Sequence, residues 1–545
     1  MAALLLIALF LPLLGAVLPF ASRQTAQRMA LGVAVVVLAL TVNLVARYPA
    51  STELTATVDG AWLSWTGADI RFSIALDGLS LWLFALTSLL MIVAVLVSWE
   101  AIKEQASLFY RLLLILETGM LGVFVAQDII LFYVFFEFTL IPLFFLIGIW
   151  GSDQRRYAAI KFFLFTLAGS VLTFLGLLSL VIWNYYASSS EPALRVMTFS
   201  IPELTESLQV AVLRGAGMSL ALQVAIFVAL FAGFAIKVPL FPFHTWLPLA
   251  HVEAPTAGSV VLAGVLLKVG TYGFLRFNLA MLPEATAALM PWLLWLALAG
   301  TLYGAFVALA QSDIKRLIAY SSVSHMGFCM LGLFALNRLS VQGGVLQMVN
   351  HGLATGGLFA VVGMLYERYH TRQIADLGGL ARRLPVLSFF ALVLTLSSIA
   401  LPGLGGFVGE FLVLLGVFQR AWLSDGPDWL QLRTIAVVSV TAVVLGAWYM
   451  LWLYQRVFFG PLREPARKSD DPPVRDLGLR EILCLTPLVV TLLWIGLQPQ
   501  FFLDRIGATV DNLVKPSVRA MDSGGRSPVP ISPVSDKSSS IPANL

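Results

Sequence analysis

Apolar runs of about 20 residues, each long enough to cross roughly 30 Å of hydrocarbon as a helix, recur along the whole chain. In hydrocarbon every backbone N–H and C=O must be satisfied within the protein, so a chain of this pattern folds as a bundle of helices. About fourteen runs stand out: near 2–20, 29–46, 78–99, 109–126, 128–149, 159–184, 219–249, 256–277, 287–310, 313–335, 342–366, 386–418, 434–457 and 481–500. They are numbered spans 1 to 14 in chain order. The first lacks a basic start and a clear small-residue cleavage site, so it reads as a span and not as a signal peptide. Only 12% of the 545 residues are charged, where a soluble domain carries about 25%. The expected class is an all-α, multi-pass membrane protein.

The charges are distributed unevenly between the loops. Nineteen Lys and Arg fall on one side of the fourteen spans and eight on the other. The richer side is cytoplasmic by the positive-inside rule, which puts both termini on the opposite side of what is expected to be a bacterial inner membrane. The loops near 47–76 and 185–217 are too short and polar for a soluble domain, and the Ser- and Pro-rich tail from Pro516 is expected to be disordered. Cys329 and Cys484 lie in apolar runs and offer neither a disulfide framework nor metal-ligand spacing. With no phosphate-cradling glycine loop, no dinucleotide fingerprint and no cysteine cluster, the chain has no means of its own to move electrons or hydrolyse a nucleotide. The net charge of +4 follows from topology, with no sign of nucleic-acid binding.

Two lysines of the chain, Lys237 and Lys268, belong to neither loop set because both lie inside spans. Glu117, Glu137 and Glu410 are also deep in apolar runs, and His325 and His351 join them in spans 10 and 11. A charge at the bilayer centre costs about 2.5–3.5 kcal/mol on insertion scales, so such groups pair or line a wet cavity. Ion pairs that only lock helix packing need no broken backbone beside them, yet two of these groups have one. Span 7 reads FAGFAIKVPLFPFHTW, with Pro239 and Pro242 straight after Lys237 and His244 close behind. Span 12 reads SSIALPGLGGFVGEF, with Pro402 and four glycines before Glu410.

Broken helices in matching positions of two halves point to an ion site in an inverted-repeat transporter. Spans 7 and 12 lie five apart, which predicts two five-helix inverted repeats, spans 4–8 and 9–13. The expected segments are 1–108 (spans 1–3), 109–280 and 281–460 (the repeats), 461–515 (a cytoplasmic loop and span 14) and the tail 516–545. Desolvation favours a neutral amine and a nearby carboxylate favours the ammonium. A movable Glu137 therefore decides whether Lys237 keeps its proton. Lys268, His325 and His351 would continue a lateral relay toward Glu410.

Several strings carry a family resemblance: LDGLSLW (76–82), LETGMLGVFVAQDIILFYVFFEFTLIP (116–142), KVPLFPFHTWLPLAHVEAPTAGSVVLAGVLLKVGTYGFLR (237–276), DIKRLIAYSSVSHMGF (313–328) and LPGLGGFVGEFLVLLG (401–416). The chain resembles the antiporter-like, proton-translocating membrane subunits of NADH-quinone oxidoreductase, respiratory complex I. The resemblance implies that Glu137 and Lys237 control proton loading, that Lys268 is the central lysine, and that His325 and His351 belong to the hydrophilic axis. Glu117 has a family counterpart in span 4. Glu410 matches the span 12 residue, a glutamate in branch M (chain 4 of mitochondria and chloroplasts) where branches L and N carry lysine. Branch L also ends in a long lateral helix, whereas only a polar tail is expected here after span 14. One departure is Leu249, aspartate in many bacterial members, which bears on proton uptake near His244 and His251. The resemblance implies no cofactor in this chain, with NADH, FMN, iron–sulfur clusters and quinone held by partner subunits. Antiporter-like chains L and N and small membrane chains would be its neighbours. The alternatives are a subunit of a multisubunit sodium/proton antiporter, or of a related membrane-bound hydrogenase or dehydrogenase.

Overall fold

The computed structural model describes residues 1–50, 53–65, 67–188, 195–213, 216–423, 428–466 and 473–522. Thirteen helices among them are long and apolar enough to cross a membrane. With the shorter Ala2–Val17 at the start, every one of the fourteen apolar runs lies on helix. Thr256–Leu279 (span 8) and Arg338–Tyr369 (span 11) are buried throughout their apolar windows and form the middle of the bundle. Arg23–Arg47, Arg155–Ala187 and Trp429–Phe458 present apolar side chains outward, such as Val35, Leu164 and Val444. Polar groups on spans 8 and 11 are therefore as far from lipid as the fold allows.

Both expected breaks are present. Span 7 stops at Lys237, the last residue of Leu220–Lys237, and resumes as Trp246–Glu253. Pro239 and Pro242 fall in the gap, where each removes a backbone donor. Span 12 is divided into Pro385–Ser398 and Gly405–Leu423. Gly403 turns the chain at φ 92°, which side chains disfavour, and a Cβ at Gly406 would collide with the Ser397 carbonyl oxygen. Asn350 of span 11 donates from Nδ2 to the Gly405 carbonyl at 2.7 Å and so holds the second half-helix in place.

Two irregularities were not expected from the sequence. Span 5 is interrupted at Thr139, between Ile129–Phe138 and Leu140–Trp150. Pro142 explains it, because it has no N–H to offer the carbonyl four residues back, at Phe138. Span 8 contains two π-helical segments, Leu262–Leu266 and Phe274–Leu279, on either side of Lys268. Such segments are rare and concentrate at functional sites.

The all-α description holds for the membrane body, while the loop after span 2 folds as a hairpin. Strands β1 (Thr55–Trp65) and β2 (Ala68–Leu76) pair antiparallel, and β3 (Met197–Thr198) joins β2 in parallel. Arg71 of β2 pairs with Asp59 of β1, which holds the Asp59 carboxyl below the usual carboxylate range.

The expected tail also requires correction. Gln500–Asp522 forms a helix, so residues 516–522 are ordered and more than a polar tail follows span 14. Phe502, Ile506, Val510, Leu513 and Val514 recur at helical spacing and bury one face, a pattern that composition alone does not reveal. Residues 523–545 of that tail lie outside the described residues, as do Arg214 and, in the basic loop, Arg467 and Lys468. The C-terminal helix crosses the end of the bundle at which span 3 begins, packing on spans 3, 9 and 11. The Gly78 amide donates to Thr509 Oγ1 at 3.1 Å. Beside it Asp77 caps span 3 and pairs with Arg276 of span 8 at 2.6 Å. Burial alone would raise the Asp77 carboxyl, but the Arg276 guanidinium and the Ser80 amide pull it below the usual range.

A Cβ on Gly78 would run into the Arg505 carbonyl oxygen. Gly78→Ala is therefore expected to lift the C-terminal helix and speed tryptic cleavage after Arg505 and Arg519 by about tenfold. Unchanged cleavage would contradict that packing.

Candidate functional site

The expected residues divide into a connected group and an unconnected one. Lys268 is 0% exposed, between the π-helical segments of span 8. Its Nζ donates to the Ala263 carbonyl within the first of those segments. The same Nζ lies 2.6 Å from His351 Nδ1 of span 11. His351 Nε2 has no hydrogen-bond partner among the described residues and is buried. The rings of His351 and His325 stand 5.7 Å apart between centroids. His325 of span 10 then places Nδ1 3.5 Å from Glu410 Oε1, just past the break of span 12. Four side chains from spans 8, 11, 10 and 12 thus form one lateral line inside the bundle.

Polar neighbours that the sequence analysis did not single out complete this line. Gln347 Nε2 donates to Glu410 Oε1 at 3.1 Å, and Ser398 Oγ and Tyr449 OH approach His325 Nε2 at 3.3 and 3.4 Å. Gln347, Asn350 and His351 are spaced i, i+3 and i+4, so one face of a helix buried throughout its apolar window is polar. That spacing was a readable signal. Nothing in the local sequence marks Tyr449 or Ser398, which reach His325 only through tertiary packing. Two small cavities of about 10 Å³ each lie along the line, one lined by His325, Asn350 and His351, the other by His325, Glu410 and Tyr449. Each has room for about one water with polar partners around it.

Glu137 and Lys237 are brought near one another but not into contact. Lys237 Nζ sits 4.6 Å from the ring centroid of Phe136, the residue just before Glu137. No ion pair within 4.0 Å joins Lys237 to Glu137. The buried ammonium rests on the face of an aromatic ring at the interruption of span 5. Glu117 is 0% exposed and neither carboxylate oxygen has a partner among the described residues. No hydrogen bond links it to the line. His244 lies in the break of span 7, against Tyr303 at 4.9 Å and Phe241 at 5.8 Å, with Nδ1 unpartnered.

Toward the basic end of the bundle, His251 stacks on Phe359 at 4.6 Å with both ring nitrogens unpartnered among the described residues. Lys315 and Arg372 fix the turn that carries it, donating to the Ala254 and Val252 carbonyls at 2.6 Å each. No group of three or more His, Cys, Asp or Glu residues that could hold a metal ion occurs among the described residues.

Asn350→Leu would leave the Gly405 carbonyl without its donor, a loss of about 1–3 kcal/mol. The thermal midpoint of the purified assembly is expected to fall by at least about 2 °C. An unchanged midpoint would show that the break of span 12 does not depend on that bond.

Comparisons with known proteins give the site a family. The model of the transmembrane domain shared by NADH:quinone oxidoreductase and the Mrp antiporter matches residues 126–425. NADH-quinone oxidoreductase subunit M of Rhodobacter capsulatus is 40% identical over 94% of this chain and 96% of its own length. NADH-ubiquinone oxidoreductase chain 4 of Marchantia polymorpha is 39% identical over 83% of this chain and 84% of its own. Among solved structures, respiratory complex I from Thermus thermophilus has a chain that superposes with a TM-score of 0.79 at 31% identity, over 94% of this chain and 99% of that one. A chain of the Mrp complex from a Dietzia species shares the fold, with a TM-score of 0.78 at 20% identity over 95% of this chain and 98% of that one. This chain belongs to the family of antiporter-like membrane subunits of NADH:quinone oxidoreductases, in the branch of subunit M and chain 4.

Proposed function

We propose that protons cross this chain along Lys237, Lys268, His351, His325 and Glu410, with Glu137 governing the loading of Lys237. At the level of the assembly, the chain is a proton-translocating membrane subunit of an NADH:quinone oxidoreductase. The contact that carries the residue-level reading is Lys268 Nζ on His351 Nδ1 at 2.6 Å.

When Lys268 is protonated, Nζ donates both to Ala263 and to Nδ1, so the neutral His351 holds its hydrogen on Nε2. Transfer of one proton from Nζ to Nδ1 makes an imidazolium, and the Nε2 proton is then the one free to leave. It leaves toward His325 through the small cavity between the two rings. His325 hands a proton to Glu410, whose Oε1 is oriented by Gln347 Nε2. The break of span 12, between Ser398 and Gly405, gives Glu410 a route to the far side. On the loading side, Glu137 near Lys237 favours the ammonium, and Glu137 withdrawn lets the amine release its proton. Moving one charge against 100 mV costs about 2.3 kcal/mol, so the line must gate. Direct contact is lacking from Glu137 to Lys237, from Lys237 to Lys268 and from His351 to His325, and such a gate acts at these points.

His244 and His251 lie between Lys237 and the basic face, on the uptake path, and Leu249 leaves that path without a carboxylate at its position. Glu117 is a secondary acceptor. Spans 4–8 and 9–13 act as the two repeats, with spans 5 and 7 interrupted in the first and span 12 in the second. The chain is an integral, multi-pass membrane protein. Its setting is the inner membrane of a bacterial cell, with both termini on the non-cytoplasmic side. NADH oxidation through FMN and iron–sulfur clusters, and quinone reduction, take place in partner subunits, with antiporter-like chains L and N and small membrane chains beside this one.

Lys268→Met and His351→Leu, each in the intact assembly, are expected to lower NADH-driven proton pumping by at least about tenfold while the assembly still forms. Pumping is read by dye quenching in inverted vesicles and normalised to NADH oxidation with an artificial acceptor. Normal pumping per assembled complex would mean that this chain is a scaffold and conducts nothing.

A further inference from the structure

Span 8 carries a second polar stripe, which the relay does not use. Lys268, Tyr272 and Arg276 are spaced i, i+4 and i+8, which puts the last about 12 Å beyond the first on one side of the helix. The Arg276 guanidinium lies over the Tyr272 ring at 5.0 Å, so the two side chains do share that side. The stripe runs from the central lysine to the end of the bundle at which span 3 begins. A proton that followed it would leave the membrane without reaching His351. We propose that the Arg276–Asp77 pair is a plug that closes this way out, so that a proton on Lys268 leaves only laterally, through His351. The proposal rests on the reading of Lys268 as a relay group.

The hydrogen bonds along the stripe run the wrong way for proton exit. The Tyr272 hydroxyl gives its hydrogen to the Phe124 carbonyl at 3.0 Å and accepts from Arg276 Nε at 3.1 Å. To pass a proton outward it would need an acceptor on its outer side, and it meets an N–H there. The bonds end inward, on a backbone carbonyl that has no proton of its own to hand on. Arg276 cannot take the proton either, because a guanidinium stays charged in proteins. Its Nη2 donates to Asp77 Oδ2 at 2.6 Å, while Asp77 Oδ1 accepts from the Leu79 and Ser80 amides at 3.1 and 2.8 Å. The carboxylate is thus anchored at the start of span 3 and holds the guanidinium between itself and Tyr272. A cation fixed in a narrow pass also repels a hydrated proton approaching from Lys268, as arginine does in pores that exclude cations. Asp77, Tyr272 and Arg276 are all buried, and Phe124 packs edge-on to the Tyr272 ring at 5.4 Å.

The test reconstitutes the purified assembly in liposomes without NADH, drives protons across with a potassium diffusion potential, and reads the flux with an internal pH dye. The double variant Asp77→Asn, Arg276→Gln removes both charges without leaving a lone buried ion, and is expected to raise the proton leak about tenfold. Arg276→His puts into the pass a group that can accept and release a proton, and should raise the leak to a like extent. Arg276→Lys keeps a cation beside Asp77 and should stay as tight as the unaltered assembly. Adding Lys268→Met to either leaky variant should abolish the excess leak, which a mere loosening of the bundle would not allow. The proposal is overturned if neither variant leaks more than the unaltered assembly. A leak that survives Lys268→Met, or that Arg276→Lys shares, would overturn it too. Normal NADH-driven pumping by Lys268→Met alone would instead defeat the relay reading on which the plug rests.

Discussion

The contact between Lys268 Nζ and His351 Nδ1 joins the two most deeply buried spans of the bundle, and much of the interior is arranged around it. A lysine there is costly unless its ammonium finds acceptors, and apolar helices offer few. The π-helical segment before Lys268 makes a carbonyl available at Ala263, and span 11 brings an imidazole to the other side. Both solutions use groups that remain useful whether the amine is charged or neutral. A carboxylate paired directly with Lys268 would fix the charge, whereas a histidine can accept the proton and pass it on.

The broken helices follow from the same constraint. Glu410 and Lys237 each lie where a span is interrupted, and each interruption is supported from another helix or ring. Asn350 holds Gly405, Gly406 closes on Ser397, and the Phe136 ring carries the Lys237 ammonium. Span 11 supplies Gln347, Asn350 and His351 from one face, so a single rigid helix sets the position of the acid, the break and the relay together. Small shifts of that helix would act on all three. The Asp77–Arg276 pair closes the C-terminal end of span 8 against the start of span 3, clear of this line.

Much of this was legible in the sequence, for reasons particular to each residue. Lys237 and Glu410 were marked by the prolines and glycines beside them, and the breaks appear at those positions. His325, His351 and Lys268 stood out because ionisable residues are rare in apolar runs, and the structure brings all three together. The break of span 5 could have been read from Pro142. The π segments of span 8 could not, since no residue type encodes the slip in register. The C-terminal helix was hidden by its polar composition, which outweighs a clear 3.6-residue period from Phe502 onward. The hairpin of β1 and β2 lay in a loop read only for its length and polarity. The separation of Glu137 from Lys237 is a matter of helix placement, which spacing along a chain cannot state.

The central claim is that Lys268, His351, His325 and Glu410 form one proton line, with a single gap between the two imidazole rings that water fills. An electron cryomicroscopy map of the intact assembly, at a resolution that places water, tests it most directly. The account predicts an ordered water within hydrogen-bond reach of His351 Nε2 and His325, with the Lys268–His351 contact kept. A dry gap, or a Lys268 ammonium paired with a carboxylate and turned from His351, would contradict it.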